Sequence, residues 1–414
     1  MRIVFILLTL ISANAFGQFN GNVFNDIKSK NFFVAKKVYK QTKKDYTKTE
    51  QEFIEATLEN AFNKPEISNE RINLLLSDQT ILPDSVSLRL YQLKTDNFIK
   101  LYEYEKASET IEHILNTYKT IISESELEDW NNSYKLWNAL KDAPKQTIDV
   151  AGTTRQKMKI DKAGLKNLSV SSEPDSVDFI FDTGANLSTV NETTAKKLNM
   201  NIIPAEIEVG SITGQKVNTN LAICPLLKIG KIEIKNAVFL VMKDDALYIP
   251  QIDYKMNGII GFPIINALRE IQLTKDGYFI VPETETKIAW FSNMALDGLT
   301  PMIFMNDMHF SFDSGASESI LYNAFYTKHQ NEIDGKYPPV EFGLGGAAGN
   351  KKFSGFSISY SFDILDKRVD LENLRVVKDK IKNDETVYGN IGQDVINQFD
   401  KMTLNFDQMF IKFD

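Results

Sequence analysis

Phe179-Ile180-Phe181-Asp182-Thr183-Gly184-Ala185 and Phe310-Ser311-Phe312-Asp313-Ser314-Gly315-Ala316 are two copies of one motif, 131 residues apart. The same offset relates Gly258-Ile259-Ile260-Gly261 to Gly389-Asn390-Ile391-Gly392. It continues through Ile265-Asn266 and Ile396-Asn397, Leu273 and Leu404, Asp276 and Asp407, and Phe279-Ile280 and Phe410-Ile411. A lone Asp-Thr-Gly is a weak signal. Two apolar-flanked copies with matching downstream glycine blocks describe a duplicated structural unit, with the same elements in the same order. Phe179, Phe181, Phe310 and Phe312 alternate, so each motif reads as a strand that ends at its Asp. Gly184 and Gly315 then permit a tight turn and close backbone approach.

The duplication brings one carboxylate from each half, Asp182 and Asp313. Two such groups a few ångströms apart cannot both ionise easily, so the pair tends to hold one proton. One member can then accept a proton from water while its partner donates one to a carbonyl, which hydrolyses an amide without a metal or a covalent nucleophile. Titration of such a dyad belongs to the pair, so neither residue is assigned as the permanent acid or base.

The two Asp-Thr/Ser-Gly-Ala motifs resemble the active-site signatures of pepsin-like and retropepsin-like aspartic peptidases. Ile259-Ile260-Gly261 and Asn390-Ile391-Gly392 resemble the apolar-apolar-Gly element of that superfamily, with Asn390 a departure at an apolar position. The resemblance covers about residues 149–414 and implies a bilobal β-fold, its halves short enough to suggest two fused retropepsin-like units. It further implies that the hydroxyls of Thr183 and Ser314 bond across the lobe interface and hold the catalytic loops, with Gly184 and Gly315. Ser188 and Ser319 also correspond. Each is read either as a hydroxyl near a catalytic carboxylate or as a simple surface or helix-start residue.

Each half has a glycine-bearing segment between its motif blocks. Gly210-Ser211-Ile212-Thr213 in the first and Gly343-Leu344-Gly345 in the second are candidate flaps that close over an extended peptide, or else ordinary hairpin turns. Gly343 to Gly349 is not a phosphate cradle, because no Lys-Ser/Thr follows at P-loop spacing.

Upstream the pattern changes. From about Phe19 to Leu140 glycine is nearly absent, and apolar residues recur at helical spacing, as in Phe53, Ala56, Leu58, Ala61 and Phe62. Pro83-Asp84-Ser85 reads as a helix start. Leu90 to Tyr118 reads as a helical hairpin with a turn near Tyr104, Leu93, Phe98, Leu101 and Tyr102 lining its first helix. This loosely resembles a tetratricopeptide hairpin, which implies a binding surface for a protein partner; a bundle that merely packs on the β-region, or a removable propeptide, are the other readings. Downstream of Asp142-Ala143-Pro144, strand-like runs such as Val217 to Leu221, Leu226 to Ile234, Ala237 to Met242 and Phe353 to Tyr360 alternate with turn residues.

The amino terminus, with Arg2, an apolar run from Ile3 to Ile11 and Ala13-Asn14-Ala15, reads as a secretory signal. The expectation is an exported, periplasmic or extracellular protein. No lipoprotein Cys follows, and no later segment reads as a membrane span. The expected organisation is therefore multidomain: a signal peptide at 1–17, an all-α helical-hairpin domain at 18–145, and an all-β bilobal domain with pseudo-twofold repeat, its lobes at 146–285 and 286–414.

Composition narrows the function classes. In 414 residues the formal charge is −8 with no long basic run, so nucleic acid is excluded as a partner. Cys224 is the only cysteine and sits in an apolar stretch, as a core residue does. The three histidines have no motif around them, no His/Cys cluster has zinc spacing, and neither metal nor cofactor is expected. Glu124, Glu126 and Glu128 read as a solvated acidic face. Asp244-Asp245 reads as a loop. The readings left are an aspartic endopeptidase acting on polypeptides, or an inactive peptide- or protein-binding module on the same scaffold.

Overall fold

The computed structural model describes residues 5–6, 21–77, 82–211, 216–288, 292–346, 349–381 and 385–414. A helical region comes first, comprising α1 (Asn22–Lys28), α2 (Phe32–Thr42), α3 (Lys48–Ala61), α4 (Pro65–Ser77), α5 (Asp84–Lys100), α6 (Tyr104–Thr117) and α7 (Glu124–Ala139). A β-rich region of mixed sheets follows. Of the expected leader at 1–17, only Phe5–Ile6 is among the described residues.

The helix starts follow local chemistry. Thr47 and Ser123 each accept from the backbone N–H three residues on, and Glu50 and Glu126 reach back to the cap, closing a capping box at α3 and at α7. Glu126 of the acidic run therefore caps a helix. The hairpin read between Leu90 and Tyr118 is α5 and α6. Its first helix stops at Lys100, so Leu101 and Tyr102 form the turn, where Tyr102 takes a φ of 57°. A polar core ties the helices together. Asn97 donates to Ser68 Oγ and to Asn69 Oδ1, each at 2.9 Å, and accepts from Asn60 at 2.8 Å.

Among the described residues, a ten-stranded sheet takes nine strands from the first half and one from Phe5–Ile6, and an eight-stranded sheet belongs to the second half. A five-stranded sheet joins them: Glu270–Thr274 pairs antiparallel with Lys401–Asn405, with Ile271 opposite Leu404. The repeat register that aligned Leu273 with Leu404 thus falls in the sheet shared by both halves. Leu226 to Ile234 is two strands, not one, because Gly230 at a φ of 58° turns the chain between Lys216–Ile229 and Ile232–Met242. Asn323–Lys336 is a helix that the strand pattern did not reveal; it shows few apolar residues because only Phe325, Tyr326 and Ile333 face the core. Cys224 is fully buried.

The helical region packs on both halves. Lys30 pairs with Asp297 at 2.7 Å, and Phe33 stacks on Phe304 with centroids 4.8 Å apart. Tyr102 donates its hydroxyl to Pro263 O at 2.8 Å. Asn132 on α7 donates to Glu208 O at 2.7 Å and accepts from Glu208 N at 2.8 Å, so its amide pairs with strand Asn201–Ser211 as a neighbouring strand would. Among the described residues, no helix is long and apolar enough to cross a membrane.

Candidate active site

Each motif Asp is placed by the same three strands. In the first half Asp175–Phe181 runs parallel to Gly258–Ile260, with Ile260 opposite Phe181, and Gly258–Ile260 is antiparallel to Ser188–Asn191. In the second, Met308–Phe312 runs parallel to Gly389–Ile391, with Ile391 opposite Phe312, and Gly389–Ile391 is antiparallel to Ile320–Leu321. Asp182 N donates to Ile260 O at 3.1 Å and Asp313 N to Ile391 O at 2.9 Å. Phe179, Phe181, Phe310 and Phe312 are all buried. Ile180 is buried as well, whereas Ser311 is half-buried, so the first strand has core on both faces and the second on one.

The loops beyond the strands lie against each other. Thr183 Oγ1 donates to Phe312 O at 3.0 Å and accepts from Ser314 N at 2.9 Å. Ser314 Oγ donates to Phe181 O at 3.1 Å and accepts from Thr183 N at 3.0 Å. Each hydroxyl thus reaches across to the opposite half. All four bonds are buried, where a polar group without a partner is costly. They fix the two loops as one piece.

Glycine is required beside the carboxylates. A Cβ on Gly184 would stand 2.7 Å from Asp313 Cγ, and one on Gly315 would stand 2.3 Å from Asp182 Cγ. Any side chain at either position would displace the carboxylate of the opposite half. Gly184 N donates to Asp182 Oδ1 at 2.8 Å and Gly315 N to Asp313 Oδ1 at 2.9 Å.

Electrostatics follows from this enclosure. Asp182 has no solvent exposure and Asp313 has 2%. Burial raises the Asp182 carboxyl well above its ordinary range. The Asp313 charge and a hydrogen bond with Asp313 add to the rise, and the N–H groups of Gly184 and Gly315 oppose it. Asp313 Oδ2 accepts from Asn390 Nδ2 at 3.4 Å, and Asn390 Oδ1 accepts from Ser311 Oγ at 2.7 Å. The residue in the place of Asn390 in the first half is Ile259, which has no hydrogen to give.

Ser188 and Ser319 are neither surface residues nor partners of the carboxylates. Ser188 Oγ accepts from Gly261 N at 3.0 Å and Ser319 Oγ from Gly392 N at 2.9 Å. They hold the glycine turn of each half against its Asp-bearing loop. Ser319 also donates to Asp394 Oδ1 at 2.6 Å, a bond with no equivalent in the first half, where Pro263 stands in the corresponding place.

The candidate flaps lie on two hairpins. Gly210 and Ser211 end strand Asn201–Ser211, whose partner is Lys216–Ile229; Ile212 and Thr213 lie outside the described residues. Gly343, Leu344 and Gly345 lie on Pro339–Gly346, opposite Lys352, Lys351 and Asn350 of the strand that follows. The outer edge of the first hairpin carries Phe5–Ile6, antiparallel, with Phe5 opposite Ser211 and Ile6 opposite Gly210. An extended segment of this chain therefore occupies that edge. No group of three or more His, Cys, Asp or Glu side chains suited to a metal occurs among the described residues.

Sequence reasoning missed Asn390 as a partner of Asp313, having read it only as a break in an apolar pattern. Its counterpart Ile259 marks the asymmetry. That a side chain at this place reaches the carboxylate follows only from the parallel pairing of strands.

Residues 156–264 match the family model described as aspartyl protease. That span takes in Asp182, the first hairpin and Gly258 to Gly261. Among solved structures, the chain resembles the crystal structure of a retropepsin-like aspartic protease from Rickettsia conorii. The identity is 17%, 33% of this chain and 94% of that chain are covered, and the TM-score is 0.22. No curated protein matches the chain.

Proposed function

We propose that this protein is an exported aspartic endopeptidase in which Asp182 and Asp313 activate a water molecule against a peptide bond. The observation that carries the reading is the junction of the two loops. Two carboxyl groups from equivalent positions are packed against each other's glycine and locked by four reciprocal hydrogen bonds. Catalysis by a dyad depends on that preorganisation. The two carboxyls share one proton, and burial favours the neutral form of Asp182. Asp313 receives an N–H from Asn390 on its Oδ2. One member takes a proton from water while the other gives one to the carbonyl oxygen, after which the roles reverse.

The substrate is an extended polypeptide held as an added strand. The edge of the first hairpin already holds such a segment in Phe5–Ile6. Both carboxylates are buried, so turnover requires the site to open to an extended chain. The leader at 1–17, removed on export, and a partner-binding role for a tetratricopeptide-like domain at 18–145, with lobes at 146–285 and 286–414, complete the proposal.

The test is cleavage of an unfolded protein such as reduced casein by purified full-length protein across pH 3 to 8. Asp182→Asn and Asp313→Asn are each expected to abolish it with the fold retained; activity in either variant overturns the mechanism. The closure of the dyad favours one other reading, a scaffold that binds peptide and does not cut. Binding without cleavage at every pH would establish it.

A further inference from the structure

A recess lies between the helical region and the two halves, walled by residues of α2, α3, α5, α6 and α7 on one side and by Asn186 and the turn at Leu296–Leu299 on the other. Lys100 pairs with Asp96 at 2.7 Å and Lys30 pairs with Asp297 at 2.7 Å. Arg89, 5% exposed and lining the recess, has no carboxylate within ion-pair distance among the described residues. Among the described residues its one hydrogen bond, from Nη1 to Gln92 Oε1, is long at 3.4 Å, and Nε has no acceptor. Arg89 feels the Asp96 and Asp297 charges without an ion pair to either, while Lys100 and Lys30, which do not line the recess, hold those two carboxylates. A buried guanidinium without a counter-ion opposes folding unless something completes it. On the opposite wall, Asp297 Oδ1 is buried with no donor. Apolar side chains, Leu93, Ile99, Trp130, Trp137 and Leu299, also line the recess.

We infer that this recess binds the C-terminal residue of a peptide, its carboxylate on Arg89 and its amide N–H on Asp297. An inorganic anion would answer Arg89 but leave Asp297 Oδ1 and the apolar wall unused. A chain-terminal apolar residue supplies an anion, a hydrogen-bond donor and an apolar body together, and planar two-pronged recognition of a carboxylate is what arginine does best. The recess touches the candidate active site. Asn186 lies four residues beyond Asp182 and accepts from Thr300 Oγ1 at 3.0 Å. Occupancy therefore bears on the loop that carries Asp182. The inference goes beyond the proposed hydrolysis and holds whether or not the dyad cuts.

Calorimetric titration of the full-length protein tests it, using N-acetyl-Ala-Ala-Phe as the free acid and as the amide, together with 3-phenylpropanoate, each recovered intact as judged by mass spectrometry. Saturable binding of the acid peptide is expected, about ten-fold or more tighter than the amide, with the difference lost in Arg89→Gln and retained in Asp182→Asn. Equal binding of acid and amide, no saturable binding of the acid peptide, or a difference that survives in folded Arg89→Gln overturns the inference. Binding of 3-phenylpropanoate as tight as that of the peptide overturns it too, in favour of a small free acid. Should Arg89→Gln fail to fold, the acid–amide comparison on the unsubstituted protein still decides.

Discussion

Asn390 donates its side-chain N–H to Asp313 Oδ2 at 3.4 Å, while Asp182 Oδ2 is buried with no donor among the described residues. The pseudo-twofold repeat is thus broken where it touches the two carboxylates. A donor aimed at one carboxylate favours its ionised form.

Replacing Asn390 by Ile, the residue found in the first half, removes that donor. The ionisation that arms the dyad then becomes harder, so the acidic limb of the kcat/KM profile moves to higher pH, by about one unit. The shift is read from initial rates between pH 3 and 8. An unmoved limb with lowered activity would assign Asn390 to packing alone.

Asp182→Asn separates stability from activity. Because the folded-state pKa of Asp182 is raised, the folded chain binds more protons than the unfolded chain from the ordinary value of 3.8 up to the folded one. Stability therefore falls as pH rises through that window. The amide removes this slope while its oxygen can still accept from Gly184 N. The variant is expected to unfold at a higher temperature than the unsubstituted protein at pH 7 and at nearly the same temperature at pH 3.5, with cleavage absent at both.

Thr183→Val and Ser314→Ala each delete one hydroxyl and leave a buried N–H and a buried carbonyl unpaired. Each is expected to cost roughly 2–4 kcal/mol in urea unfolding. The pair in one chain should cost less than the sum, because both act on the same junction. Activity falls with either, since the loops lose their mutual register. Additive losses in the double variant would show that the two hydroxyls act independently.

His309 sets an acid limit on the fold. Its burial pushes the imidazole down to about 4, with Asp297 opposing and Lys30 adding to the fall. Between the ordinary value of 6.5 and about 4 the unfolded chain binds the extra proton. The neutral ring therefore contributes stability that is complete above pH 6.5 and is lost as pH falls toward 4. The contribution at neutral pH is about 3 kcal/mol. In His309→Phe the unfolding free energy should decline less steeply between pH 7 and pH 4 than in the unsubstituted protein.

Much of the molecule was legible from local pattern. The alternating phenylalanines announced the strands ahead of Asp182 and Asp313. The constant offset between Gly258-Ile259-Ile260-Gly261 and Gly389-Asn390-Ile391-Gly392 announced that both halves share one element order. The helical spacing from Phe53 to Phe62 announced α3. Where patterns misled, a single residue had changed the geometry. Gly230 at positive φ split one apolar run into two strands, and Leu101 with Tyr102 turned the chain where the periodicity continued.

Residue order alone determined which side chains could carry chemistry, because motif, spacing and duplication are properties of the chain read in one dimension. Tertiary structure decided which of them meet. The reciprocal bonds of Thr183 and Ser314 span the two halves, Asn132 clasps a strand from a distant helix, and Lys30 and Lys100 hold the carboxylates of Asp297 and Asp96. Such contacts join residues far apart in the chain, and their energies depend on distance, burial and direction, none of which a periodicity encodes.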